Sequence, residues 1–355
     1  PTPTLTPTPT LTPTPTPAVV NITSVGDILM HAAIWRFYRD FFVNFTEELE
    51  WGDLNCINQE TILIDGSFGY TGYPNFGTPF YVGDVELEYG YNVICCASNH
   101  VMDKGIEGVK STLGYWGDKD AFVLGVHATE EEKHYTVTEV NGITFALFNY
   151  TYGTNGISVP EEYSYMVDLV PNGKNSAREK LLSDIKEIND EVDVVIVFPH
   201  WGKEYTYTPV ESQTEMAALL TEAGADIIIG THPHVIEPME IITSENGNEC
   251  ICYYSIGNFI HGQNKWERCL GAMAKIVVTK DRDSIRIDAS AEANVCQQLK
   301  SGEDGYTFCP YKLSEFNEDL VKKHRLYSEG LTTENLWNLW IEVFGSETPM
   351  LTINY

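Results

Sequence analysis

Two histidines bracketing a proline, His232-Pro233-His234, close the run Ala225-Asp226-Ile227-Ile228-Ile229-Gly230-Thr231. In an extended segment, side chains two apart point the same way, so both imidazoles face one site at a strand's carboxyl end, where α/β folds build their sites. Paired imidazoles in such a place are first of all metal ligands. A single His-x-His is weak, because a histidine at a strand end is usually a hydrogen-bonded surface or core residue. Repetition adds weight. Val19-to-Val25 leads into Gly26-Asp27, with His31 four residues on; Tyr91-to-Ala97 leads into Ser98-Asn99-His100; Val192-to-Pro199 leads into His200-Trp201-Gly202. Carboxylate, amide oxygen and imidazole, with no thiolate among them, suit divalent ions such as Zn, Mn or Fe.

The elements that position these residues are short apolar, β-branched runs alternating with helical stretches, the pattern of a layered α/β domain. Strands are expected over 19–25, 91–97, 121–126, 143–150, 192–199, 225–230 and 250–256, and helices near 106–117, 175–189 and 211–223. In the last helix, Met216, Leu219, Leu220 and Ala223 recur at helical spacing and Gly224 is placed to stop it. Near the end of the chain, Leu336, Leu339, Trp340, Val343 and Phe344 form an apolar stripe ending at Gly345. Its polar face carries Glu334 and Glu342 rather than Lys or Arg, which favours packing on the main domain over lying on a membrane.

Composition narrows the function. Residues 1–17 are a Pro-Thr repeat with no apolar content for a core, an extended spacer of the kind found in glycosylated stalks. Such spacers join exported domains to an anchor, so the chain is expected to follow a removed export signal or anchor and to work outside the cell at the envelope. A formal charge of −29, from 51 acidic and 22 basic residues, opposes nucleic acid and anionic membranes as partners. The eight cysteines have no zinc-finger spacing and are too sparse for a disulfide scaffold. Most read as buried apolar residues; Cys296 with Cys309 is the pair to test for a bridge.

Taken in order, the motifs resemble the CapA capsule-synthesis family, the poly-γ-glutamate biosynthesis proteins whose fold is similar to calcineurin-like metallophosphatases. The resemblance runs through Val25-Gly26-Asp27-Ile28-Leu29-Met30-His31, Asn58-Gln59-Glu60-Thr61, Ala97-Ser98-Asn99-His100-Val101-Met102-Asp103-Lys104-Gly105 and His200-Trp201-Gly202-Lys203-Glu204-Tyr205. It continues through Gly224-Ala225-Asp226, Gly230-Thr231-His232-Pro233-His234-Val235 and Tyr254-Ser255-Ile256-Gly257-Asn258-Phe259, covering roughly residues 19 to 262. It implies a four-layer α-β-β-α sandwich over residues 18–295, with residues 296–355 as a C-terminal helical extension packed on it.

The same resemblance implies two divalent metal ions, one on Asp27, Glu60 and His234 and the second on Glu60, Asn99, His200 and His232. His100 would act as general acid or stabilise developing charge. Asp103 reads equally as its orienting partner and as a helix N-cap. His31, Glu204, Tyr205 and Asn258 are second-tier candidates for substrate contact, with Asn258 equally able to close a turn beside Gly257. The chain departs from metallophosphatases in lacking a histidine two residues after the first aspartate; it also has Ser98 where an asparagine is common and Glu237 where a glutamine is common.

Two functions compete. One is metal-dependent hydrolysis of a phosphoester in an anionic envelope polymer or its phosphorylated precursor; two metals about 3.5–4 Å apart suit an in-line displacement. The other is a non-catalytic role within the capsule synthesis machinery, assembling, tethering or exporting the polymer. Amide cleavage is a third possibility with no distinguishing residue.

Overall fold

In the computed structural model, residues 16–31, 34–35, 40–301 and 305–355 are described. Most of the expected Pro-Thr spacer, residues 1–15, lies outside them. The apolar run that opens the domain forms β1 (Ala18–Ile28), which is followed by β2 (Leu54–Asn58), the short pair β3 (Leu63–Ile64) and β4 (Thr78–Pro79), β5 (Val93–Cys95) and β6 (Phe122–Leu124). Strands β1, β2, β5 and β6 pair in parallel, in that order. The second sheet contains β7 (Thr136–Val140), β8 (Ile143–Thr151), β9 (Val194–His200), β10 (Ile227–Ile229), β11 (Ile236–Thr243) and β12 (Glu249–Ile256), in the order β11-β12-β10-β9-β8-β7. Its central four strands are parallel and its two edges antiparallel.

The chain then returns to the first sheet. β13 (Asn258–Ile260) pairs with the end of β1, and β14 (Leu270–Asp281), β15 (Ser284–Ser301) and β16 (Gly305–Lys312) add an antiparallel wing, with β17 (Met350–Asn354) on β15. Among the described residues, seven helices accompany these strands: α1 (Thr46–Trp51), α2 (Tyr81–Glu88), α3 (Gly105–Trp116), α4 (Ser176–Asn189), α5 (Glu211–Ala223), α6 (Glu318–Lys323) and α7 (Thr333–Phe344).

Three apolar clusters define the layers. Between the sheets, Ile22, Leu54, Val93, Phe145, Ile196, Ile227, Ile251 and Ile276 interlock. On the outer face of the first sheet, Ile57, Ile94 and Cys96 meet Val82 and Val85 of α2 and Val109 and Trp116 of α3. On the outer face of the second, Phe148, Val195, Val197, Ile228 and Cys252 meet Leu181, Ile185 and Ile188 of α4 and Met216, Ala217 and Leu220 of α5. This is the expected α-β-β-α sandwich. Parallel strands buried on both faces read as continuous apolar runs, which is why they stand out in the sequence.

The expected C-terminal extension needs correction. Residue 296 lies in the middle of β15, and the last residues contribute two strands as well as α6 and α7. Leu336 and Trp340 are fully buried in the inter-sheet core, with Leu339, Val343 and Phe344 partly buried against it. A boundary at 296 would cut a continuous strand. The suggested bridge also fails: Cys296 and Cys309 are free thiols. Cys296 stands opposite Pro310 and Gln297 opposite Cys309, so strand alternation sends the two thiols to opposite faces. Among the described residues, no helix is long and apolar enough to cross a membrane.

Candidate metal centre

The polar residues that follow the parallel strands converge at the strands' carboxyl ends. Asp27 is the last residue but one of β1, Glu60 follows β2, Asn99 and His100 follow β5, His200 ends β9, and His232 and His234 follow β10. Close backbone approach makes this convergence possible. A Cβ on Gly26 would lie 1.9 Å from the Gly257 carbonyl oxygen, and one on Gly230 would lie 2.0 Å from that of Tyr254. Glycine lets β1 and β10 run against their neighbours at the points where the site begins.

His232 and His234 reach the site differently from the extended geometry expected. β10 ends at Ile229, and both histidines take positive φ, 97° and 58°. This is the left-handed region that costs an ordinary residue energy and persists only where its surroundings impose it. The turn brings the two rings to 5.9 Å between centroids, with the His200 ring 4.9 Å from that of His232.

Among the described residues, donor atoms gather here in two trios that share one carboxylate, Asp27-Glu60-His234 and Glu60-His200-His232, and in a third on the exposed side, Glu204-His232-His234, the atoms of each lying within 4.8 Å of one another. Glu60 Oε1 is 3.7 Å from His234 Nε2 and 3.9 Å from His200 Nε2. Asn99 joins the second trio, its Oδ1 3.0 Å from His200 Nε2. The supports are specific. His234 Nδ1 and Asn58 Nδ2 donate to the two oxygens of Asp27 at 2.9 and 2.8 Å, Thr231 Oγ1 sits 3.0 Å from His200 Nδ1, and Ser98 Oγ donates to the Glu60 carbonyl.

The electrostatics of this cluster fit a cation. Both carboxylate oxygens of Glu60 and Nδ1 of His232 are buried without a hydrogen-bond partner, a state costly enough to be rare. Burial, reinforced by the neighbouring Asp27, pushes the Glu60 carboxyl well above its ordinary range. Burial, then the adjacent imidazoles, holds His200 and His232 well below theirs, so both are neutral donors. Buried imidazole nitrogens and carboxylate oxygens brought this close together are the donor set a divalent ion needs.

His100 lies beside this cluster. Its Nδ1 is 2.7 Å from Asp103 Oδ2, which also accepts the Phe76 backbone N–H, and the Phe76 ring meets the imidazole edge-on at 4.7 Å. Helix α3 begins at Gly105 without a side-chain cap, so Asp103 orients His100 and does not cap the helix. Asn155, at φ 50°, brings its amide nitrogen to 3.3 Å from His100 Nδ1 and accepts from Asn99.

The second-tier residues separate. Glu204 Oε1 is 3.8 Å from His234 Nε2 and its side chain is 44% exposed, so it lines the open side. Tyr205 packs 5.9 Å from the His234 ring, and the Arg268 guanidinium lies 3.4 Å from the Tyr205 ring centroid. His31 stands apart from both trios, accepting from Gly262 N–H and meeting Phe76 edge-on, with burial lowering its pKa to about 4. Asn258 is fully buried, pairs in register with Asp27 and donates to the carbonyls of His234 and Arg268, so it braces the loops and touches no open space. Glu237 is buried and accepts a hydrogen bond from Gln213 Nε2 at 2.6 Å, and it belongs to none of the donor trios.

Sequence reasoning passed over Asn58, Asn155, Tyr152 and Arg268. Asn58 falls in a motif already singled out, and Asn155 in the turn-forming run Gly153-Thr154-Asn155-Gly156 directly after β8. Tyr152, whose ring lies 4.7 Å from that of His232, and Arg268 carry no such signal.

The chain is 28% identical over 253 residues to the PGA biosynthesis protein CapA of Bacillus subtilis, an alignment covering 70% of this chain and 58% of that protein. It is 30% identical over 188 residues to the capsule biosynthesis protein CapA of Bacillus anthracis, covering 51% of this chain and 42% of that protein. The chain therefore spans about half the length of these relatives. A phosphatase from Mycoplasma pneumoniae of known structure aligns at 16% identity with a TM-score of 0.45, over 78% of this chain and 89% of that one. Residues 21–263 match the profile of the bacterial capsule synthesis protein PGA_cap, and the chain belongs to that family.

Proposed function

We propose that this chain is a metal-dependent hydrolase of the capsule synthesis class, acting at the cell envelope on a phosphoester in an anionic polymer or its phosphorylated precursor. The observation that carries this reading is Glu60, whose two unpartnered oxygens stand at the junction of both donor trios. Asp27, Glu60 and His234 would hold one divalent ion, and Glu60, Asn99, His200 and His232 the other, with Mn, Zn or Fe suited to this donor set. A bound pair of such ions supplies Lewis acidity to a phosphoryl oxygen and makes water a competent nucleophile near neutral pH.

The chain's own residues do the rest. Asp103 accepts the Nδ1–H of His100, so His100 would act as general acid only as the imidazolium paired with this carboxylate, giving its Nε2 proton to the departing oxygen and ending as the neutral Nδ1–H tautomer. Arg268 stacks on Tyr205, which packs against His234, and so sets one cation near the centre that could meet an anionic substrate once bound metal offsets the neighbouring carboxylates. Glu204, 3.8 Å from His234 Nε2, lines the same mouth.

Protein reconstituted with Mn, Zn or Fe should hydrolyse members of a panel of phosphomonoesters and phosphodiesters, and His200→Ala and His232→Ala should lose both metal and turnover. Metal-loaded protein inert on the whole panel would sink the hydrolase reading. The capsule-biosynthesis names of the relatives favour a second reading, polymer assembly without catalysis, acting with the capsule synthesis machinery. Restoration of capsule in a deficient cell by a metal-free variant would select it.

A further inference from the structure

A second cluster of metal-ligating side chains, sharing no residue with the centre above, lies at the start of the second sheet. His127, His134 and Asp168 bring a nitrogen, a nitrogen and a carboxylate oxygen within 4.8 Å of one another. They come from three separate segments: the loop after β6, the residue pair preceding β7, and the stretch leading from Met166 back toward β8. His127 Nε2 is 2.9 Å from Asp168 Oδ2, His134 Nδ1 contacts Asp168 Oδ1, and the two rings meet edge-to-face with centroids 4.6 Å apart.

The backbone holds this arrangement in place before any side chain acts. Asp168 N–H donates to the Gly125 carbonyl, its own carbonyl accepts from Thr151 N–H, and His127 N–H donates to the Met166 carbonyl. Behind His127, Glu132 Oε2 lies 3.9 Å from Nδ1, while the Glu132 carboxylate caps the backbone N–H groups of Ala128 and Thr129. At 3.9 Å this is an ion-pair distance and not a hydrogen bond, so Glu132 acts chiefly by holding the backbone that follows His127. One side remains open. A cavity of about 220 Å³ lined by Gly125, His127, Glu132 and His134 adjoins the cluster, another of about 130 Å³ reaches His134 and Asp168, and the His134 side chain is 32% exposed.

We infer that His127, His134 and Asp168 form a third metal site, a mononuclear one of zinc type with an open position toward these cavities. Two imidazoles and one carboxylate, without thiolate, match the ligand count of an open zinc site. Its placement gives it a structural consequence. Residues 128–133 are exposed throughout, and the two histidines stand at the two ends of that segment. An ion shared with Asp168 ties the loop to the sandwich at both ends. The competing description is a hydrogen-bonded His–Asp–His triad with no ion, and metal content separates the two.

The experiment uses the full chain loaded with zinc and then desalted. His200→Ala/His234→Ala should retain about one equivalent of zinc per chain, and adding His134→Gln should remove it. Should the buried double variant fail to fold, His134→Gln alone, at a partly exposed position, should bind about one equivalent less than the parent. A glutamyl-specific protease should cut at Glu130–Glu132 about tenfold more slowly in parent protein with zinc than after chelation, and the difference should vanish in His134→Gln. Unchanged zinc content in His134→Gln, or cleavage at the same rate with and without zinc, would overturn the site. Neither readout depends on hydrolysis at the dinuclear centre.

Discussion

His100 and Asp103 are joined Nδ1 to Oδ2 at 2.7 Å, and the same carboxylate oxygen accepts the Phe76 N–H at 2.6 Å. Two donors on one buried oxygen hold the carboxylate still, and the carboxylate fixes which nitrogen of His100 faces the metal centre. His100→Gln should lower kcat on an active phosphoester by about 10²- to 10⁴-fold with metal content unchanged. Asp103→Asn should give a smaller loss of the same kind. A His100→Gln enzyme with full turnover would remove His100 from the chemistry.

Glu60 presents the opposite relationship, a carboxylate with no donor at all. Its carboxyl is raised well above the ordinary value of 4.5 by burial and by Asp27. A raised folded-state pKa adds stability that is complete below the unfolded value and is lost as pH rises through the folded one. Metal-free protein should therefore lose Tm as pH rises above about 4.5, and Glu60→Gln should flatten that decline while abolishing metal binding. Differential scanning calorimetry of chelated protein across pH, with and without the substitution, measures both. Identical profiles would show that Glu60 is not the source.

The strands visible in the sequence are β1, β5, β8, β9, β10 and β12, buried along most of their length, and the short apolar edge strand β6, which is only partly buried. The antiparallel wing lacked that signature. β15 packs Ala289, Ala291 and Ala293 against the inter-sheet core, and alternating alanine gives little contrast in hydropathy or strand propensity. β2 was hidden by its polar content, Leu54-Asn55-Cys56-Ile57-Asn58, with Asn55 spent on buried hydrogen bonds to Thr23 and to the carbonyls of Leu49 and Gly90.

The site was legible for a related reason. Five ligand-type residues follow apolar runs, so chain order alone brings Asp27, Asn99, His200, His232 and His234 to one edge of the sandwich, whereas Glu60, after the polar β2, was carried only by the family resemblance. Arg268 and Tyr152 were not legible, because their positions depend on loops far apart in sequence meeting in space. Tyr205 and Arg268 are brought together by such a meeting. Local pattern also misled about His232 and His234, whose left-handed backbone is imposed by tertiary contacts and not by the His-Pro-His sequence.

Glu237 carries a pH effect separable from the metal centre. Burial pushes its carboxyl up to about 8, partly opposed by the hydrogen bond from Gln213 Nε2. Its contribution to stability is complete below about pH 4.5 and lost as pH rises to about 8, so ionisation there opposes folding. Glu237→Gln keeps an acceptor for Gln213 and removes the charge. It should stabilise the protein at pH 8.5 by on the order of 2–3 kcal/mol and leave it unchanged at pH 4. Equal denaturation midpoints for both proteins at pH 8.5 would count against this account.

Trp340 decides whether the C-terminal residues are an appendage or part of one cooperative unit. Its side chain is fully buried in the inter-sheet core beside Leu336, its ring packs 4.3 Å from that of Phe344, and its Nε1 donates to the Glu347 carbonyl. β17, just beyond, is paired to β15 from Arg286 to Ser290, and β15 is continuous with the strands that carry the metal ligands through β14 and β1. Removing the indole leaves a cavity that this rigid junction cannot close, at a cost of about 3–5 kcal/mol. Trp340→Ala should therefore lower the midpoint of a single unfolding transition, with far-UV circular dichroism and tryptophan fluorescence coincident. An appendage would behave otherwise, giving an early transition for the C-terminal residues and an unchanged one for the sandwich. The continuity of β15 through residue 296 is the reason to expect one transition.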